Sequence, residues 1–432
     1  MRMLSVGVLI DLWWRSEAGG HVKCWERFAE AAISFNNQID LTLYFLGAKN
    51  QVIHLTKNVR YSIHSPIFGT QCLTFLDEMT EHTDLAPINP WLFSHLRKHD
   101  ILHVTHPLFT LSQTARILAK YSHKFLIASL HTDVPNYSQI YTADVVRRMF
   151  GNGCLSRILL EKLQVDRRTK DSSIGKLEHY LTQCDRVLVS QPNDYEKVAE
   201  ILPKNRISYL RRGINRQLFH PGKRDRTKLK YFYDIAPENF LLLFVGRLDS
   251  CKNVQTFAQA VKILLDWNYP VHALMAGQGN SAKQIKDLLG SSVTLPGVLP
   301  QSILAWLYAS ADLFVFPSNT EIYSNAVMEA KASGLPVLVS TKGGTAQQIN
   351  QSGKDGLLIN QDTPEAWAKA IASLINDPEK LLTMQQATYQ QSLKQSPTWE
   401  TVLAEDLLSV WQSCNCDRYS SASGIGNLSP AK

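Results

Sequence analysis

The chain has 432 residues, a formal net charge of +7 and an isoelectric point near 8.9. That length exceeds what one hydrophobic core organises and predicts two domains of about 200 residues each. No apolar run approaches the roughly 18 residues that span a bilayer, and seven scattered cysteines without paired metal spacing fit a reducing cytosol. The basic charge suits nucleotide diphosphates, an acidic membrane face or nucleic acid. With no helix-turn-helix, zinc-finger or RNA-binding signature, nucleic acid is the weakest of the three.

Residues 4–10 read as a first buried strand, not a signal peptide, ended by Asp11. A loop to Gly20 follows. A helix from about His21 then keeps Trp25, Phe28, Ala29, Ala32 and Ile33 at helical spacing. Gly19 and Gly20 ahead of that helix allow close approach of an anion, or form a plain tight turn. Trp13 and Trp14 read as exposed platforms for a sugar or a membrane interface, or as core. Strands are expected at 41–46, 101–105 and 125–130. The last leads to His131, a strand-end position suited to chemistry, although a single histidine there is usually structural. His103 and His106 end the preceding strand and read as structural or supporting. Residues 134–175 look inserted, with Arg147, Arg148, Arg157, Lys162, Arg167, Arg168 and Lys170 among interleaved apolar residues. They read as basic amphipathic helices that lie on an anionic bilayer, or as solvated charged helices. A helix at 174–184 and a strand at 185–190 close this half.

Residues 209–222 have the composition of an interdomain linker. A strand at 240–245 runs into Gly246, Arg247 and, five residues on, Lys252. Two cations on a strand-to-helix loop can clamp a diphosphate; a loose basic pair is otherwise ordinary solvation. The strand at 271–276 ends in Gly277-Gln278-Gly279, but Ala282 stands where a dinucleotide fingerprint needs its third glycine, so that signal is weak. A strand at 293–295, a turn at 296–300 containing Val298 and a helix at 302–311 follow. Thr363 and Pro364 open a helix to 375. A final helix is expected at 397–411, and a disordered tail at 413–432.

The most informative stretch lies between these. An apolar strand at 312–316 leads through Glu321, Tyr323, Ser324 and Asn325 into a helix that carries Glu329 and stops at Gly334. A second strand at 337–340 ends in Gly343-Gly344. A helix starting near Ser324 offers unpaired N–H groups to a phosphate. Glu321 and Glu329, eight positions apart, can each accept hydrogen bonds from polyol hydroxyls; a helix with a solvated Glu at each end is the plainer alternative.

The run Phe316-Pro-Ser…Glu321…Glu329-Ala330…Ala332-Ser333-Gly334-Leu-Pro336-Val337 resembles the signature of family 4 retaining glycosyltransferases. The segment Gly246-Arg247…Lys252-Asn253 resembles their phosphate-binding loop, and the likeness extends from Val6 to Trp411. The resemblance implies an α/β GT-B fold: two Rossmann-like doubly wound domains facing each other across a cleft. Residues 1–212 would form the acceptor domain, with a basic insertion at 134–175, and 213–395 the nucleotide-sugar domain; 396–412 would cross back to the first.

It implies transfer of a hexose, with retention, from a nucleoside-diphosphate sugar, taken as a UDP-sugar, to an acceptor hydroxyl. Arg247 and Lys252 would meet the diphosphate, Glu329 the ribose, Glu321 the donor hexose, and His131 the anomeric centre. Gly19, Gly20, Gly246, Val298, Tyr323, Ser324 and Asn325 would line the donor. Ser324 stands where the family usually has Gly, which would narrow the sugar site. No Asp-x-Asp pair occurs, so no metal or other cofactor is expected. The basic stretch points to a membrane lipid or glycolipid as acceptor and to a cytoplasmic, peripherally membrane-associated enzyme. Polysaccharide or small-molecule acceptors, a GT-B epimerase or phosphorylase, and a non-catalytic nucleotide-sugar binder remain open alternatives.

Overall fold

The computed structural model describes residues 3–15, 18–70, 82–131, 134–151 and 153–414. Ser16 and Glu17 of the first expected loop, and residues 415–432 of the expected tail, lie outside them. The chain forms two compact units: residues to Arg211 together with those from Trp399 onward, and Arg212–Thr398.

The first unit is built on eight strands: β1 (Leu4–Trp13), β2 (Ile39–Leu46), β3 (Gln51–His54), β4 (Val59–His64), β5 (Ile101–Val104), β6 (Phe125–Ser129), β7 (Arg186–Val189) and β8 (Ile207–Tyr209). Their order is β3-β4-β2-β1-β5-β6-β7-β8, parallel except for the β3–β4 pair. The apolar run of β1 is nearly continuous because both faces of the sheet are covered. Leu4, Val6, Val8, Ile10 and Leu12 pack with the helix Gly20–Ala32, while Leu9 packs on the opposite face. Asp11 does not end this strand, as its charge suggests it should. It is fully buried within β1 and accepts from Leu111 N, Ser112 N and Ser112 Oγ at 2.6, 3.1 and 2.7 Å, capping the helix Thr110–Ser122.

Between β6 and β7 the chain makes one helical excursion. The helices Val134–Phe150 and Val165–Thr182 pack on each other, joined through Cys154–Arg157 and a π-helical turn at Ile158–Lys162. The expected amphipathic stripe along each helix is absent. Met149, Phe150, Leu155, Ile158 and Leu163 are instead exposed in and beside the connection.

The last helix starts at Trp399, with a π-helical stretch at Leu403–Leu408, and runs through Cys414. Ser413 and Cys414 thus belong to it and not to a tail. It packs on the helix Gly20–Ala32, Phe28 against Trp399 at 4.9 Å between ring centroids.

The second unit has six parallel strands: β9 (Phe240–Val245), β10 (Val271–Ala276), β11 (Val293–Thr294), β12 (Leu313–Phe316), β13 (Val337–Ser340) and β14 (Leu357–Ile359), ordered β11-β10-β9-β12-β13-β14. Among the parallel strands of each sheet, leaving aside the antiparallel edge strand β3, the order reverses once, between β1 and β5 and between β9 and β12. Such a reversal opens a crevice beyond the carboxyl ends of the two strands, where ligands of open α/β sheets bind.

Candidate active site

In the second unit, the loops after β9 and β12 flank the point of reversal. Asp249 accepts from the Lys252 amide at 3.1 Å and shapes the short turn Ser250–Lys252. Ser318 Oγ and Thr320 Oγ1 donate to the Cys251 carbonyl at 3.2 and 3.0 Å, joining the two loops. Lys252, 7% exposed, forms an ion pair with Glu321 through Nζ and Oε1. Arg247 lies beside Asp249, Nε to Oδ2 3.3 Å. The structure therefore brings together two residues 69 positions apart that the sequence offered separately.

Ser324 caps the helix Asn325–Ala332, its hydroxyl accepting from Val327 N at 3.4 Å. Glu329, in the second turn, lies close enough to Tyr308 for its charge to add to the effect of burial, which raises that phenol well above its ordinary value. Burial likewise pushes Tyr323 up to about 12, so its hydroxyl stays protonated as a donor. Val298 is exposed in the turn after β11. Gly246 follows β9 directly, and its amide donates to Ala276 O at 3.0 Å.

Two glycine pairs serve the backbone here. A Cβ on Gly277, at φ +145°, would stand 1.8 Å from the Gly246 carbonyl oxygen, so this glycine lets the β10 loop press on the Arg247 loop. A Cβ on Gly344 would meet the Ile322 oxygen at 2.1 Å, and the Gly344 amide donates to Glu321 O at 2.7 Å. Gly343-Gly344 thus support the Glu321 loop.

Sequence reasoning missed Gln348 and Asp362. Gln348 holds both sides of the Ser324 backbone, accepting from its amide and donating to its carbonyl, each at 2.9 Å. The amides of Ser324 and Val327 are thereby already engaged. Asp362 accepts from Asn253 at 2.7 Å and Asn319 at 2.6 Å and lies 3.6 Å from Lys342, so one carboxylate ties together segments following three strands. The only signal for either is polarity on a loop.

In the first unit the groups at the reversal are imidazoles and hydroxyls. Gly19 is the N-cap of the helix Gly20–Ala32. His21, on its first turn, has Nε2 3.0 Å from Thr105 Oγ1 beyond β5. The His21 ring lies 4.2 Å from His106 and 4.6 Å from His131, centroid to centroid, so three imidazoles gather beyond β1, β5 and β6. His21 was legible only as a helix start. Trp13 and Trp14 are not exposed platforms. Both are half-buried, Trp13 against His82 at 6.1 Å and Trp14 against Tyr61 at 5.9 Å, with the Trp14 indole donating to Glu26 at 2.8 Å. Arg212 is buried near Tyr323, and Asn215 accepts from the amides of Gln217 and Leu218 at 3.1 and 3.0 Å, shaping its own turn.

Residues 213–391 match the family model for glycosyl transferases group 1. A GDP-mannose-dependent alpha-mannosyltransferase of Corynebacterium glutamicum is 28% identical over 334 residues, covering 74% of this chain and 71% of that protein. A D-inositol 3-phosphate glycosyltransferase of Catenulispora acidiphila is 25% identical over 228 residues, 49% of this chain and 54% of that one; the chain spans about half the length of this relative. Among solved structures, Anabaena HepE in complex with UDP and glucose superposes with a TM-score of 0.62 at 15% identity, over 98% of this chain and 100% of HepE. The chain has the GT-B fold, and over residues 213–391 it is similar to the glycosyl transferases of group 1.

Proposed function

We propose that this protein transfers a hexose, with retention of configuration, from a UDP-sugar to a hydroxyl of a membrane lipid. The observation that carries the donor half is the Lys252–Glu321 ion pair at the β9–β12 reversal, with Arg247 on the same loop as Lys252. A diphosphate that takes Lys252 and Arg247 leaves the Glu321 carboxylate to accept from hexose hydroxyls, so one binding event prepares both subsites. Two cations next to a helix N-terminus offset charge on the departing diphosphate. Glu329 serves the ribose in this reading, and His131 the transferred sugar. HepE, solved with UDP and glucose, favours uridine; the Corynebacterium relative, named for GDP-mannose, favours a second donor reading.

The acceptor half rests on the connection between the helices of the excursion. Met149 and Leu155 are 56% and 49% exposed there, among exposed Arg147, Arg148, Arg157 and Lys162. Large apolar side chains set among cations match an anionic bilayer surface, where acyl chains take the first and headgroups the second.

Incubation with labelled UDP-glucose, UDP-galactose, UDP-N-acetylglucosamine and GDP-mannose, with membrane extract and lipid separation, tests both halves. Label entering the lipid phase is expected from a UDP-sugar. Label held wholly in the aqueous phase removes the lipid acceptor, and transfer from GDP-mannose alone replaces the donor. Glutamate at the four basic positions should abolish sedimentation with anionic vesicles.

A further inference from the structure

A continuous line of hydrogen bonds runs from His131 to the last helix. Trp411 Nε1 lies 3.2 Å from His103 Nδ1, His103 Nε2 2.9 Å from Ser129 Oγ, and Ser129 Oγ 2.7 Å from His131 Nε2. An indole N–H can only donate. His103 Nδ1 is therefore an acceptor, and the His103 proton sits on Nε2. His103 is fully buried, and burial lowers its pKa to about 3, so the ring carries one proton and not two. His103 Nε2–H then donates to Ser129 Oγ. The proton of the Ser129 hydroxyl has His131 Nε2 as its acceptor, because a buried hydroxyl proton with none would cost on the order of 1–3 kcal/mol. With Nε2 accepting, the neutral His131 ring bears its proton on Nδ1.

We propose that Trp411, His103 and Ser129 are positioning residues that hold His131 as the neutral Nδ1–H tautomer, a hydrogen-bond donor to the reacting sugar and not a general base. A base role would need the Nε2 lone pair, which Ser129 occupies. Ring rotation cannot easily exchange the two nitrogens, because Trp25 and His21 pack edge-on against His131 at 5.7 and 4.6 Å. The line closes only when the last helix is docked, since Trp411 lies 308 positions from His103. The catalytic part of this inference rests on the transferase reading above; the tautomer does not.

The test is long-range 1H–15N NMR of the full chain with labelled histidine, the His131 signals assigned by their loss in His131→Asn. The wild type is expected to show Nδ1 protonated and Nε2 not. Ser129→Ala and, independently, Trp411→Phe should turn this into a mixture of tautomers. With the best donor, each should lower kcat by about 10- to 100-fold while donor KM stays within about twofold. Ser129→Thr, which restores the hydroxyl, should recover both signals and rate. A wild-type His131 protonated on Nε2 overturns the proposal, as does an unchanged tautomer in both Ser129→Ala and Trp411→Phe. The expected tautomers with no transfer from any nucleotide sugar would leave the hydrogen-bond line standing and remove the transferase reading instead.

Discussion

The two units place their polar groups at the same topological position and fill it with opposite chemistry. Beyond β9 and β12 the groups are ionic: Lys252 with Glu321, Arg247 with Asp249, and Asp362 holding three segments. Beyond β1, β5 and β6 they are imidazoles and hydroxyls, joined by hydrogen bonds. Reversal of strand order creates the crevice in both sheets; the side chains decide what it recognises. A charged set suits a diphosphate and its sugar.

The largest expected effect falls on the ionic side. Lys252→Ala should lower kcat/KM for the nucleotide sugar by about 100- to 1,000-fold, the scale of removing one group that stabilises developing charge. Steady-state kinetics against the wild type checks this; a loss under tenfold would mean that Lys252 serves only Glu321.

Acid should separate the units next. Burial holds His99 and His103 down to about 3 and His64 to about 4, against an ordinary 6.5, all in the first unit. The unfolded chain takes up these protons near pH 6.5 and the folded unit only far below, so the stability is present above 6.5 and is lost as pH falls toward 4. Asp11, raised by burial to about 7, and Asp185, also raised by burial, oppose this, since their contribution grows as pH falls through the same window. Three histidines outweigh them. The second unit carries one such histidine, His272, lowered by burial and by Lys286. Between pH 7 and 4.5 the first unit should lose on the order of 3 kcal/mol more than the second. Hydrogen exchange resolved by peptide measures it, and equal losses would remove the contrast.

Smaller effects probe the support of the ionic set. Gly344→Ala forces a methyl toward the Ile322 carbonyl and should displace the Glu321 loop. It is expected to cost about 1–3 kcal/mol in denaturant unfolding and to lower kcat/KM further than that instability explains. Ser324→Gly should be nearly silent in stability, because glycine replaces a serine cap at a cost of only a few tenths of a kcal/mol. Its effect should appear as a changed ratio of kcat/KM between UDP-glucose and UDP-galactose, and an unchanged ratio would show that the Ser324 side chain does not reach the sugar.

Much of the frame was readable in one dimension. The strand at 312–316, the helix opened by Ser324 and stopped by Gly334, and the Thr363-Pro364 start each depend on residues within about four positions of one another. Caps, periodicity and φ preference act at that range, so sequence alone determined them. It determined Arg247, Lys252, Glu321 and His131 only as candidates on loops after strands. Charge misled it at Asp11, where burial in a strand is offset by capping a distant helix, and it left Trp13 and Trp14 open between platform and core, because their partners come from other segments. Only the tertiary structure decided that Lys252 meets Glu321, that Gln348 clasps Ser324, and that Trp411 reaches His103. Those contacts follow from which strands become neighbours and where the last helix docks. Burial of apolar faces over a whole unit selects that arrangement, and no short window of sequence contains it.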